Sequence, residues 1–234
     1  MQLNDFLLVN ADTDSIMISK RDGNPFSEEE RKRLLQSLNS QFPEAIKWED
    51  DGYYHKVVVL KAKNYILYDG KKIKKKGSSL KSSKTEPALR DFMSEVIDCL
   101  LFDKQDQLLN VYHSYILRVY NIKDIKPWTS KKTITEKVLN AERTTERKVL
   151  AALNGRSSQM GDKIYVYFDV NEQLKMAEDW TGDHDPMTLI EKVYKTLCIF
   201  KNVIDINLFP KYHLKKQAKN LEALLTASKE MDTI

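Results

Sequence analysis

A chain of 234 residues that is 41% hydrophobic can bury a substantial core in one or two domains, which excludes a disordered polypeptide. Its longest apolar runs, such as residues 57–60 and 16–18, are far too short to cross a bilayer. The N-terminal Met-Gln-Leu-Asn-Asp lacks the basic and apolar regions of a signal peptide, so a soluble, cytoplasmic protein with no membrane role is expected. The net charge of +4 is concentrated: residues 61–84 hold nine lysines and one acid, Asp69, making that segment +8 and the remainder −4, a distribution that favours a polyanionic partner.

Residues 6–19 read as an apolar run, a polar tetrad and an apolar alternation, the pattern of a β-hairpin with residues 12–15 at its tip. Ser27 ahead of Glu28, Glu29 and Glu30 is a capping-box pattern. Leu34, Leu35 and Leu38 fall on one face of the helix it starts, which runs to Gln41 and backs the sheet. Residues 53–60 and 66–68 are β-branched and aromatic, and Asp69-Gly70 predicts a two-residue turn into the lysine-rich 71–76, giving a meander whose last strand and loop are very basic.

Thr85-Glu86-Pro87 opens a long helix, and residues 105–120 supply a second. Further helices are expected over 144–153, 186–202 and 211–229, with a strand over 164–168. The change from sheet-rich to helix-rich sequence near Ser83 is the one candidate domain boundary. Cys99 and Cys198 lack the spacing of a zinc site or disulfide framework and predict buried thiols; His55, His113, His184 and His213 show no ligand spacing either.

Asp12 and Asp14 can converge on one hard cation at a tight tip, and carboxylate oxygens are what Mg²⁺ prefers. Asp and Ser are also ordinary turn residues, so the tetrad by itself leaves a solvated turn open. A calcium loop fails, since it needs an oxygen ligand at Ile16 and a glycine at Met17. The other such pair, Asp183 and Asp185, precedes Pro186; Asp185 as helix N-cap with proline at the first helical position accounts for it without a metal.

The hairpin with Asp12-Thr13-Asp14-Ser15 is followed by Lys61-Ala62-Lys63-Asn64-Tyr65, then by Lys76-Gly77-Ser78-Ser79-Leu80-Lys81-Ser82-Ser83 with Pro87 just beyond. This series resembles the C-terminal part of family B DNA polymerases, the phage replicative members above all, and in extent the small subunit of a split polymerase. The resemblance implies an α+β fold: a partial antiparallel palm sheet with the motif C hairpin over 1–84, then a mostly helical, duplex-binding thumb over 85–234. It makes Asp14 the indispensable ligand of the catalytic Mg²⁺ ions and Asp12 a peripheral one, with Thr13 and Ser15 beside the incoming nucleotide. Lys63 and Tyr65, on the family's Lys-Lys-x-Tyr element, inherit contacts to the primer end, and Lys61, Lys74, Lys75, Lys76 and Lys81 fall on the adjoining duplex. The chain departs from the family in Asn10-Ala11, where Tyr-Gly is usual, and in Ala62, which replaces the first lysine of Lys-Lys-x-Tyr.

Motif A with the second catalytic aspartate, motif B with its nucleotide-holding lysine and tyrosine, and a D-x-E exonuclease pattern have no counterpart in these residues. Two-metal nucleotidyl transfer takes ions roughly 4 Å apart with carboxylates on each side. The resemblance therefore implies a partner, an N-terminal polymerase chain bearing the exonuclease and motifs A and B, without which this chain does not polymerise. It further implies primer–template DNA as substrate, a C-terminal stretch placed to reach a sliding clamp, and, for a phage protein, the host cytoplasm. If about six of the nine lysines neutralise phosphates, log affinity falls with log salt at a slope near −5; the alternative is a solubilising strand edge. Trp128, Thr129, Ser130, Lys131 and Lys132 offer hydroxyls and lysines for a second backbone-contact loop, or form an ordinary loop. Two other functions stay open: a non-catalytic basic DNA-binding accessory module that uses Asp12 and Asp14 only as a turn, and a D-x-D glycosyltransferase, which calls for a preceding nucleotide-binding domain that these residues do not contain.

Overall fold

Strand pairing in the first part of the chain follows its side-chain alternation. In the computed structural model, which describes residues 5–214 and 218–231, β1 (Phe6–Ala11) and β2 (Ile16–Lys20) form an antiparallel hairpin with Ala11 opposite Ile16. A bulge at Val9 shifts the register between the Leu8–Ile18 and Asn10–Met17 pairs. The helix α1 (Glu28–Asn39) begins with both halves of its capping box: the Ser27 hydroxyl accepts from the Glu30 N–H at 3.2 Å, and the Glu30 carboxylate accepts from the Ser27 N–H at 2.7 Å. Leu34, Leu35 and Leu38 are half-buried, and the Lys20 ammonium bonds Glu30 at 2.6 Å, tying α1 to β2.

The meander consists of β3 (Lys56–Lys61), β4 (Asn64–Tyr68) and β5 (Ile73–Lys76), hydrogen-bonded in that order, and it buries Leu60, Ile66 and Leu67. Residues 53–55 lie outside the strand expected to include them. The expected two-residue turn at Asp69-Gly70 is a four-residue loop, since pairing stops at Tyr68–Ile73. There the Asp69 carboxylate accepts from the Lys71 and Lys72 N–H groups at 2.9 and 2.7 Å, a side-chain turn that competes with continued pairing and takes Lys71 and Lys72 out of the strand.

The chain divides into two units, Met1–Lys81 and Ser82–Ile234. In the second, α2 (Pro87–Leu101), α3 (Leu108–Tyr120) and α6 (Pro186–Leu197) pack on one another, with Phe92, Tyr112, Tyr115 and Ile190 fully buried and the Phe92 and Tyr115 rings 4.9 Å apart. Pro87 opens α2, where its missing N–H has no intrahelical partner to lose. Beside the helices lies a three-stranded antiparallel sheet in the order β6 (Ser130–Thr133), β7 (Lys163–Phe168), β8 (Leu174–Met176). The short α4 (Glu136–Leu139) and α5 (Thr144–Ala152) complete this part around Ile134, Val138, Val149, Ala152, Leu153, Ile164 and Val166. Residues 130–132 are therefore strand where the sequence suggested loop.

The helix expected over 186–202 ends at Leu197, after which residues 198–200 form a 3-10 turn; Cys198 there is only half-buried, whereas Cys99 is buried. Of the helix expected over 211–229, residues 211–214 form a turn, 215–217 lie outside the described residues, and α7 spans Ala218–Met231. The fold is α+β, with small antiparallel sheets and seven α-helices among the described residues. None of those helices is long and apolar enough to cross a membrane.

Candidate metal-binding tip and nucleic-acid interface

The tip of the β1–β2 hairpin is a four-residue loop closed by the Asp12 N–H donating to the Ser15 carbonyl at 2.9 Å. The Asp12 carboxylate is engaged within its own chain. Its Oδ1 accepts from the Thr13 N–H at 2.8 Å and from the Thr13 hydroxyl at 3.3 Å, and Lys63 Nζ, from the next hairpin, lies 3.3 Å away. The Thr13 N–H and the Lys63 ammonium together hold the Asp12 carboxyl below its ordinary pKa. Asp14 is exposed and has no hydrogen bond or ion pair among the described residues. The two acids thus differ: Asp12 is engaged by a cation of its own chain, and Asp14 is free to take one from outside. Thr13 and Ser15 are exposed beside it, with Ser15 contributing its backbone to the turn.

Among the described residues, no three or more His, Cys, Asp or Glu side chains are grouped to hold a metal ion. The donors at the tip fit one side of a Mg²⁺ site. Asp14 offers both carboxylate oxygens, and the remaining positions of an octahedral ion call for ligands from elsewhere.

Lys63 reaches Asp12 because of an unusual turn. Ala62 and Lys63 connect the paired residues Lys61 and Asn64, and Lys63 is left-handed at φ 59°, a conformation that costs a non-glycine residue about 1–2 kcal/mol. The buried Asn64 fixes this turn to the Lys-Gly-Ser segment. Its Nδ2 donates to the Ala62 carbonyl at 3.1 Å, and its Oδ1 accepts from the Ser79 N–H at 3.1 Å. Gly77, at φ +101°, lets the two segments touch, since a Cβ there would overlap the Lys63 carbonyl oxygen and Asn64 Oδ1. Asn64 is the residue that sequence reasoning missed. The available signal was an Asn following a two-residue turn, where a short amide side chain competes for backbone groups.

The lysines of β5 do not form one patch. Lys74 and Lys76, exposed, are paired with Leu67 and Tyr65 of β4 and share their face, while the half-buried Lys75 is paired with Ile66 and faces the other way. Lys74 Nζ sits 5.3 Å from the centroid of the Tyr54 ring. Lys61, Lys63 and Lys81 are exposed and Tyr65 is half-buried.

In the second unit, Lys131 and Lys132 lie on opposite faces of β6, Lys131 exposed and Lys132 half-buried. The Asp183–Asp185 pair is structural. Asp185 caps α6, accepting from the Met187 N–H at 2.9 Å, and Asp183 takes the Tyr167 hydroxyl at 2.7 Å and the Lys175 ammonium at 2.6 Å. Partial burial pushes the Asp183 carboxyl up, but those two donors outweigh it and hold it at about 2. Between them, His184 Nδ1 accepts from the Trp180 indole N–H at 3.3 Å, which leaves Nε2 to donate to the Val119 carbonyl at 3.0 Å.

No protein-family model matches the chain, and no curated protein matches it. Among solved structures, the chain is similar to the family B DNA polymerase from the hyperthermophilic archaeon Pyrobaculum calidifontis, with a TM-score of 0.65 and 18% sequence identity over 85% of this chain. The match spans 27% of the archaeal chain, so the likeness is to part of that protein and is one of fold.

Proposed function

We propose that this chain is the C-terminal palm-and-thumb portion of a DNA-directed DNA polymerase of family B, supplying one side of a two-metal site together with contacts to primer–template duplex. The observation that carries the reading is the free Asp14 carboxylate at the hairpin tip, beside an Asp12 already paired with Lys63, within a fold like that of a family B polymerase. Mg²⁺ held there would lower the pKa of the primer 3′-hydroxyl and offset the charge of the triphosphate. Asp14 ligates; Asp12 positions Lys63 and the tip. Lys63, whose side chain is 72% exposed, can exchange Asp12 for a primer phosphate without any change in the fold.

The remaining ligands come from polypeptide outside these 234 residues. Leu8 and Ile16 support this, because they are exposed on one face of a two-stranded sheet, and a small hairpin is marginal in water until such a face is covered. The basic meander grips backbone, since lysine is a flexible point charge suited to sequence-independent phosphate contact.

Reconstitution tests the proposal. Primer extension with Mg²⁺ is expected only when this chain is mixed with a polypeptide bearing motifs A and B, and Asp14→Asn abolishes it. Full extension by the Asp14→Asn mixture would leave the accessory DNA-binding module as the reading.

A further inference from the structure

The second unit contains a cavity that the proposed metal site does not use. It lies between the start of α5, one face of the β6–β7–β8 sheet and α6, and measures about 260 Å³. Pockets that enclose drug-sized ligands run from about 300 Å³ upward, so this one suits a small group. Its floor is apolar, made by Val166, Phe168 and Leu174. Its polar lining is one-signed: Lys132, Lys148 and Lys192 with the hydroxyls of Ser130, Thr144 and Thr145, and no acid.

Each of these groups is placed by the fold. The strand alternation of β6 turns Ser130 and Lys132 to the same side, away from Lys131. On α5, Thr144, Thr145 and Lys148 occupy the first turn and the next position on the same face. Lys192 is held by Glu86, a nearly buried carboxylate 2.7 Å from its Nζ that also accepts the Ser130 hydroxyl at 2.6 Å. Burial raises the Glu86 pKa, and the charge of Lys192 with the bonds from Lys192 and Ser130 more than reverses that, so Glu86 stays ionised and cancels one lysine. Lys132 and Lys148 have no ion pair among the described residues, which leaves the cavity with two uncompensated positive charges. The opening turn of α5 adds to this. Arg143 at its N-cap makes no side-chain hydrogen bond, so the leading N–H groups lack a capping acceptor, and the helix end carries partial positive charge. Glu146, in the same turn, is not part of the lining.

We infer that this cavity binds a single phosphate group, with Lys132 and Lys148 as charge partners and the Thr144 and Thr145 hydroxyls and N–H groups as donors. Hydroxyls, ammonium groups and a helix N-terminus together are the donor set that phosphate oxygens accept from. Where the phosphate is a phosphodiester of a DNA strand, the inference rests on the function proposed above; free phosphate is the other source of the same chemistry.

The test uses the full chain and two probes at constant ionic strength. Inorganic phosphate is titrated while the amide resonances of Thr144 and Thr145 are followed, and a duplex oligonucleotide is then added. Saturable one-site shifts are expected, lost in Lys132→Gln/Lys148→Gln and kept in Lys137→Gln, a change of an exposed α4 lysine outside the cavity. Displacement of phosphate by the duplex, with the salt slope of duplex binding shallower by about 1 for each lysine removed, identifies the phosphodiester source. Saturable binding without displacement supports the phosphate site with free phosphate as its ligand. Shifts that stay linear in phosphate, or that survive in Lys132→Gln/Lys148→Gln, overturn the inference. Each of these results is independent of whether the reconstituted mixture extends a primer.

Discussion

Replacing Gly77 by alanine probes the joint between the two basic segments. At φ +101° an L-residue is disfavoured by about 1–2 kcal/mol, and the added Cβ overlaps the Lys63 carbonyl oxygen, which is backbone and cannot swing away. Asn64 would have to withdraw, giving up its bonds to Ser79 and Ala62 at about 1 kcal/mol each. The sum, about 3–4 kcal/mol, corresponds to a loss of hydrogen-exchange protection of a hundredfold or more at Ile66 and Leu67 of β4, at 1.4 kcal/mol per tenfold. Protection in β7 of the other unit should not change. Gly155→Ala is the control: φ there is also positive, at +78°, but its Cβ would meet open space, so only the conformational cost applies. Equal effects of the two substitutions, or unchanged protection at Ile66 in Gly77→Ala, would refute the reasoning.

Other expectations follow from the same geometry. Lys74→Gln/Lys76→Gln should flatten the salt slope of duplex binding by about 2, and Lys75→Gln, on the opposite face, by much less; equal slopes for the two would show that the faces of β5 do not matter. Lys63→Gly should relieve about 1 kcal/mol of backbone strain while removing the cation beside Asp12, so NMR titration should find the Asp12 pKa raised but, with the Thr13 N–H still in place, below the ordinary carboxylate value. The folded-state pKa of Asp183 is depressed to about 2, so its contribution to stability is complete above about pH 4 and is lost as pH falls toward 2. Acid unfolding of Asp183→Asn should therefore show a weaker pH dependence in that window than the parent chain, and an identical dependence would contradict the assignment.

Elements with strong local signals were legible in the sequence. The Ser27 capping box, Pro87 and Asp185-Pro186 each mark a helix start by satisfying or removing the first N–H groups, and all three helices begin there. The strands β6 and β8 were not legible, because Ser-Lys-Lys-Thr and Leu-Lys-Met have little β propensity of their own; β6 is recruited by pairing with β7, with Ser130 opposite Val166. The same holds for the site. Spacing picks out Asp12 and Asp14 as candidates, but the contact that distinguishes them comes from Lys63, about fifty residues later, and from the turn that aims it. The run of Lys74, Lys75 and Lys76 is likewise divided by the alternation of β5, which sends Lys75 to the other face.

The claim that Asp14 is the ligand and Asp12 its neighbour is tested most directly by single-turnover primer extension with the reconstituted mixture, comparing Asp14→Asn with Asp12→Asn. Loss of a metal ligand removes several kcal/mol of transition-state stabilisation, so Asp14→Asn should slow the chemical step by at least about a hundredfold. Asp12→Asn, which releases Lys63 but leaves Asp14 in place, should slow it far less. Equal losses for the two, or the larger loss for Asp12→Asn, would contradict the account.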